Sequence, residues 1–323
     1  MSRAVVVHET GGPEVLKIED RRVPPPGPGE LLVRNRAIGV NFVDVYQRTG
    51  FYPMPLPFVA GNEGAGEVMA IGQGVRDFAP GDRVAYMGPA GGYAEERLLP
   101  AENAVKLPDT VSFEAAAALM MKGGTAYYLL HDTWPLHMNQ TALVHAAAGG
   151  VGSLLAQWGS AMGARIIGTA GTDEKLERAR ANGCAVVIDY RDEDWPQLVR
   201  GATNDAGVDV VYDGVGRAVF EGNLDCLRPR GLLASYGSAS GPVSIPNLGA
   251  LANKGSLFVT RPTTRHYIGT AQTLRRAMAS VFAALDAGKI RVSIDQRLPL
   301  ADVQQAHRAL EARQTTGMTI LVP

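Results

Sequence analysis

The sequence predicts an α/β protein in which a doubly wound parallel sheet is joined to a second, β-rich domain. Three observations predict it. Residues 141–152 run from an apolar strand through a small-residue turn into a helix pattern, further strands alternate with helices beyond them, and the first third consists of short strands broken by glycine and proline. A chain of 323 residues, 46% hydrophobic and 20% charged, suggests roughly two domains with sizeable cores.

The segment TALVHAAAGGVG (141–152) reads as G-x-G-x-x-G with Ala147 in the first glycine place, followed by Gly149 and Gly152. Gly149 would let the backbone approach a pyrophosphate and Gly152 would let helix and strand pack closely. The helix N-terminus would supply free N–H groups and the positive end of a dipole. A glycine pattern alone is weak, and its context carries the reading. A helix over 153–162 has Leu154, Leu155 and Trp158 at helical spacing and closes on Gly163. Strands follow at 165–169, 185–189, 208–212 and 232–235, with a charged helix capped by Thr172 or Asp173 and ended at Gly183. Such alternation predicts a parallel sheet covered on both faces, which is a Rossmann domain.

Coenzyme choice is read at the end of the second strand. An NAD site usually places a carboxylate about 20 residues past the turn, on the ribose 2′-hydroxyl. Here residues 169–172 read TAGT, with no acid before Asp173 and with Lys175 two positions later. Hydroxyls, amides and a cation suit a 2′-phosphate, so NADP(H) is favoured over NAD(H). The competing reading makes Lys175 a solvated residue on a charged helix.

In the first third, strands are predicted at 4–8, 30–34, 66–70 and 82–86, with VPPPGPG (23–29) as the strongest breaker. They predict an antiparallel, barrel-like domain. After the Rossmann section come amphipathic helices at 270–287 and 302–312 and a last strand at 318–322. The tail most simply rejoins the first domain, with the active site in a cleft between the two. The predicted division is 1–122 with 262–323, and 123–261.

Lys and Arg number 31 against 32 Asp and Glu, so no basic surplus drives nucleic-acid binding. The apolar run at 4–7 is too short for a signal-peptide core and the block at 115–121 is far short of a membrane span, so a cytoplasmic protein is expected. Cys184 and Cys226 stand in no C-x-x-C or zinc-type cluster and read as small core residues.

Six motifs together carry a resemblance over essentially the whole chain: GGPEVL (11–16), IGVNFVD (38–44), PGDRV (80–84), AAAGGVG (146–152), YDGVG (212–216) and VTRP (259–262). The chain resembles the zinc-free, zeta-crystallin-like NADPH:quinone oxidoreductases of the medium-chain dehydrogenase/reductase superfamily. The resemblance implies a GroES-like catalytic domain beside the Rossmann NADP(H)-binding domain, NADP(H) as coenzyme with neither metal nor flavin, and reduction of quinones. Zinc alcohol dehydrogenases of the same superfamily bind the metal through a Cys and the His of a Gly-His-Glu motif. This chain has Asn41 and Asn62 at those places. Without a metal to hold a developing alkoxide, a quinone or conjugated enone is the better acceptor, because its added charge is delocalised.

The resemblance also implies site residues. Asn41, Tyr46 and Tyr52 would lie beside the nicotinamide as the catalytic and orienting groups. On a helix over 41–50, Tyr46 lies about 140° round from Asn41, so their convergence is implied by the family alone. Asn41 also reads as an N-cap, Tyr46 and Tyr52 as core or rim aromatics, and Asp44 and Glu63 as structural hydrogen-bonding groups, with a proton-relay role the less favoured alternative. Coenzyme contacts are implied for Asn41, Tyr46, Thr125, Gly149, Gly150, Val151, Gly171, Lys175, Tyr190, Ser238, Phe258, Thr260 and Arg313, the last of which also reads as a surface charge. A sheet edge near Phe258 must be covered, and in this superfamily two subunits commonly join there, so a homodimer is expected. An NADPH-dependent enone or alkene reductase of the 2-alkenal or haloacrylate type is the nearest rival, and a non-catalytic NADPH-binding protein the more distant one.

Overall fold

In the computed structural model, which describes residues 1–245 and 247–323, the apolar runs of the first third pair as strands. They are β1 (Ser2–Val7), β2 (Leu16–Arg21), β3 (Glu30–Gly39), β4 (Phe58–Val59), β5 (Glu63–Ile71), β6 (Arg83–Met87), β7 (Glu96–Pro100) and β8 (Ala104–Lys106), with helices α1 (Phe42–Arg48) and α2 (Phe113–Tyr128). The pattern predicts only the first half of β3. Asn35 and Arg36 interrupt its apolar alternation, yet Asn35 is buried because its amide donates to Gly92 O and Ala94 O and accepts from Tyr86 Oη. A polar side chain with its bonds satisfied can lie inside a strand that propensity alone would end.

Residues 125–269 and 287–291 form a separate unit. Its strands are β9 (Thr141–Val144), β10 (Arg165–Ala170), β11 (Val186–Asp189), β12 (Val208–Asp213), β13 (Leu227–Ser235) and β14 (Phe258–Thr260). The helices are α3 (Gly150–Ala161), α4 (Asp173–Ala181), α5 (Trp195–Ala202), α6 (Phe220–Cys226), α7 (Gly249–Asn253) and α8 (Thr264–Ile268). The strands form one parallel sheet in the order β11-β10-β9-β12-β13-β14. This is the doubly wound Rossmann order, whose direction reverses next to β9. Val186, Ile167, Leu143, Val211, Leu233 and Val259 pair in register across all six strands and belong to one apolar cluster. Burying each such side chain stabilises the sheet by about 1.5–3 kcal/mol. The register therefore fixes where β9 ends and where the glycine turn leaves it.

The tail returns to the first unit, which comprises Met1–Gly124, Thr270–Asp286 and Val292–Pro323. It supplies α9 (Ala271–Asp286), β15 (Ile294–Pro299), α10 (Val303–Glu311) and β16 (Met318–Val322). β16 pairs antiparallel with β3 at Gly39 and Ile38, and β15 pairs parallel with β16. The second sheet of this unit runs β15-β16-β3-β5-β6-β8, and β7 also pairs with β3. The strands of the first third all pair antiparallel, as the sequence predicts, and the one parallel pair comes from the tail, whose last two strands are joined through α10. Val303 and Ala306 of α10 pack on Val5, Val7, Ile38 and Leu321, which carries the neighbouring His307 into the interior. Among the described residues no helix is long and apolar enough to cross a membrane.

Candidate active site

In the Rossmann unit the turn after β9 has the geometry of an anion cradle. Ala146 adopts a left-handed conformation at φ 50°, which costs a non-glycine residue roughly 1–2 kcal/mol. Gly149 N–H donates to its carbonyl at 2.8 Å and closes the turn. The unusual backbone is thus at Ala146, one residue before the position the glycine pattern marks. Gly149 is the N-cap of α3 and contributes no side-chain cap, so the helix presents its first amides without a competing oxygen. Gly152 cannot be larger: a Cβ there would lie 2.3 Å from Ala146 O.

Beyond β10, Thr172 rather than Asp173 caps α4, its hydroxyl accepting from Lys175 N–H. Lys175 therefore stands in the first helical turn. Gly171 lies under Tyr190, whose hydroxyl would be 2.5 Å from a Cβ at that position. The parallel pairing of Ala170 with Asp189 brings these segments together. Gly171, Lys175 and Tyr190 are thus gathered at the ends of two adjacent strands, where doubly wound sheets bind ligands.

Ser238 follows β13 and is nearly buried. The loop before it is held by Arg261, whose Nη1 donates to Ser235 O and Gly237 O at 2.8 Å each. Arg261 is read from sequence only as part of the VTRP motif, and nothing in its surroundings there marks it as a loop clamp. On β14, Phe258 is 56% exposed and Thr260 half-buried. Thr125 is buried and hydrogen-bonds Tyr128, which stacks on Tyr267.

In the first unit the segment from Asn41 to Tyr52 divides into a polar end and an aromatic end. Tyr46 and Tyr52 meet edge-on with ring centroids 5.2 Å apart, and Phe51 stacks on Tyr52 at 5.3 Å. Tyr52 N–H donates to Tyr46 O, so the chain itself folds back to bring the rings together. Phe51 and Tyr52 are exposed and present an apolar aromatic face. Arg313 lies past the end of α10, exposed, with a left-handed φ of 57°.

Asn41 has the extended backbone of an N-cap and forms a capping box with Asp44, and its side chain also reaches two other elements. Its Nδ2 donates to Glu63 Oε1 at 2.7 Å and its Oδ1 accepts from Lys122 Nζ at 2.8 Å. The helix start is closed by Asp44, whose Oδ2 accepts Asn41 N–H at 2.7 Å. Asp44 Oδ1 accepts from Asn62 Nδ2, and its Oδ2 also accepts from Tyr93 Oη at 2.9 Å. Burial raises the Asp44 carboxyl to about 6, opposed by these three donors and reinforced by the Glu63 charge.

Behind Asp44 the bonds continue to the surface. Tyr93 Oη lies 3.1 Å from His307 Nε2, and His307 Nδ1 lies 3.4 Å from Arg48 Nη1. The fully buried Arg48 makes a two-pronged pair with half-exposed Glu311 at 2.6 and 2.9 Å. Burial, helped by Arg48, pushes His307 down to about 3, so the ring is neutral. Arg48 can only donate, so Nδ1 must accept and Nε2 must carry the hydrogen. His307 then donates to Tyr93, and Tyr93 to Asp44. From Arg48 inward every bond points toward Asp44, and the guanidinium, which also donates outward to Glu311, releases no proton. The array is a frame that holds a carboxylate, not a proton path. Tyr93, His307 and Arg48 are invisible to sequence reasoning as a group, since Arg48 and His307 are 259 residues apart.

This fold and this pair of sites define a nicotinamide-dinucleotide oxidoreductase with a Rossmann domain. The model described as zinc-binding dehydrogenase matches residues 150–282, and that described as alcohol dehydrogenase GroES-like domain matches 27–109. The chain is 49% identical to the quinone oxidoreductase of Pseudomonas aeruginosa, with all of both chains covered. It is 42% identical to a 2-haloacrylate reductase of Burkholderia sp. across the whole chain and 99% of that protein. The structure of Escherichia coli quinone oxidoreductase complexed with NADPH superposes with a TM-score of 0.97 at 44% identity, covering both chains fully. The chain belongs to the quinone oxidoreductase family of the medium-chain dehydrogenase/reductase superfamily.

The two positions that hold zinc in metal-dependent relatives do not fit it here. At the two relevant positions stand amides, and both are engaged: Asn41 with Glu63 and Lys122, and Asn62 with Asp44 and Gln47. An ammonium 2.8 Å from Asn41 Oδ1 would also repel a divalent cation. The NADPH pocket, by contrast, does fit. The uncapped α3 terminus and the space kept at Gly152 suit the pyrophosphate of a dinucleotide.

Proposed function

We propose that this protein reduces quinones with NADPH, without a metal or flavin. The single observation that carries the reading is the Asn41 amide, fixed between a carboxylate and an ammonium where a metal-dependent relative would need a thiolate. Neutral hydrogen-bond donors suit an acceptor whose charge is delocalised as it is reduced. Bound NADPH supplies the hydride. Asn41 and Tyr46 contact its nicotinamide end and, with Tyr52, orient the quinone, whose flat ring is matched by the face of Tyr52 and Phe51.

Gly149, Gly150 and Val151 hold the pyrophosphate. Gly171, Lys175 and Tyr190 form the 2′-phosphate and adenine side, Thr125, Ser238, Phe258 and Thr260 the nicotinamide wall, and Arg313 reaches the phosphates. A homodimer through β14 is supported by that strand's place at the end of the sheet and by exposed Phe258. The short apolar runs of the sequence favour the cytoplasm. The domain division carried by this reading is 1–122 with 262–323 for catalysis and 123–261 for NADP(H).

Lys175→Ala is expected to raise the KM for NADPH at least several-fold while leaving that for NADH nearly unchanged. Equal effects on both would remove Lys175 from the 2′-phosphate pocket. The reaction itself is tested by oxidation of NADPH and NADH by chelator-treated protein, with 1,4-benzoquinone, a naphthoquinone and an unhindered enone as acceptors. NADPH-preferring turnover of the quinones is expected to survive chelation. The second reading, reduction of an activated C=C bond, is favoured by the 42% identity to a 2-haloacrylate reductase, and turnover of the enone alone would decide for it.

A further inference from the structure

We infer that Lys122 is a positioning residue, whose ammonium, together with Glu63, dictates which way the Asn41 amide faces. The inference deepens the reading of Asn41 given above. Asn41, Glu63 and Lys122 close a triangle in which each side chain bonds the other two. Lys122 Nζ donates to Asn41 Oδ1 at 2.8 Å, to Glu63 Oε1 at 3.0 Å and to Val40 O at 3.1 Å, which uses all three of its N–H bonds. Glu63 is fully buried. Its Oε1 takes Asn41 Nδ2 and Lys122, and its Oε2 takes Met121 N–H at 2.6 Å. An ammonium has no acceptor and a carboxylate no donor. The two therefore read the ends of the amide chemically, with its oxygen at Lys122 and its nitrogen at Glu63.

Among the described residues the second N–H of that nitrogen has no acceptor, and it is the donor offered to a reacting oxygen. The three residues come from the start of α1, the start of β5 and the middle of α2, so nothing local imposes this geometry. Space is kept for it by Gly39, where a Cβ would lie 2.2 Å from Glu63 Oε1 and 2.4 Å from Ala117 O. Without Lys122 the amide oxygen loses its charged donor, and a buried carboxylate loses its counter-ion. Glu63 alone then holds the amide, by its nitrogen, and the hold is looser.

The test uses the full-length protein labelled with ¹⁵N-asparagine, in which the Asn41 side-chain resonances are those lost in Asn41→Ala. Lys122→Met is expected to speed hydrogen exchange of the Asn41 Nδ2 protons at least tenfold. It should also lower kcat for quinone reduction at least tenfold, with the KM for NADPH within twofold. In the Asn41→Ala background it should cost no further kcat. If Lys122→Met does not fold, Glu63→Gln/Lys122→Met, which has no buried charge at this point, is read for the same exchange and kcat changes. Unchanged protection of the Asn41 amide, or losses in kcat that multiply in the double variant, would overturn the role of Lys122. If Asn41→Ala alone leaves kcat unchanged, the assignment of Asn41 fails, while amide exchange still judges Lys122.

Discussion

Gly152→Ala is expected to weaken NADPH binding by about 10- to 100-fold, equivalent to roughly 1.4–3 kcal/mol. The added methyl would meet Ala146 O at 2.3 Å, Ala146 C at 2.9 Å and Ala147 Cα at 3.0 Å. All three are backbone atoms, so no side-chain rotation relieves the contact. The turn or α3 must shift, and the amides of residues 149–151 shift with it. Gly149→Ala should do less, since its Cβ would approach Ala146 O only to 3.1 Å from an ordinary φ of −81°. The affinity for NADH should fall by the same factor as that for NADPH, because both carry the pyrophosphate. That parallel loss contrasts with the selective loss expected of Lys175→Ala. Titration calorimetry with both coenzymes measures it, and unchanged affinity in Gly152→Ala would take the coenzyme away from this turn.

The glycine turn was legible because its chemistry is local. Strand, turn and helix lie within about twenty residues, and the requirement at Gly152 is steric. Tyr46 in α1 and Tyr52 just beyond it were legible only through family resemblance, since helical geometry sends Tyr46 away from Asn41. What brings Tyr46 to Tyr52 is a backbone hydrogen bond across the end of the helix. Lys122 was hidden for a different reason. In the apolar α2 sequence a single lysine beside two glycines reads as an ordinary solvated charge, and its partners Asn41 and Glu63 lie 81 and 59 positions away. Long-range pairing of that kind leaves no period in the sequence. Asn41 shows both cases at once. Its place as an N-cap is a local property and was readable, whereas the use of its amide depends on two other elements.

The frame behind Asp44 makes a sharp prediction about acid stability. Asp44 stands at about 6 when folded against 3.8 when free. Between those values the folded state holds the extra proton, so this group's contribution to stability falls as pH rises through about 6. His307 behaves oppositely. It stands at about 3 when folded against 6.5 when free, so the unfolded state takes the proton first and stability falls as pH drops below about 6.5. Each shift arises chiefly from burial, and the charged groups Glu63 and Arg48 reinforce it at their respective ends. Between about pH 4 and 6 the two slopes cancel, so neither is visible in the wild-type protein. Removing one partner exposes the other. His307→Gln, which keeps a donor for Tyr93 and an acceptor for Arg48, should gain about 5 kcal/mol relative to wild type as pH falls from 6.5 to 3. Asp44→Asn should gain about 3 kcal/mol relative to wild type as pH rises from 4 to 6. Urea unfolding followed by circular dichroism across this range gives both differences. Profiles parallel to wild type in both variants would mean that burial does not shift the two groups in opposite directions.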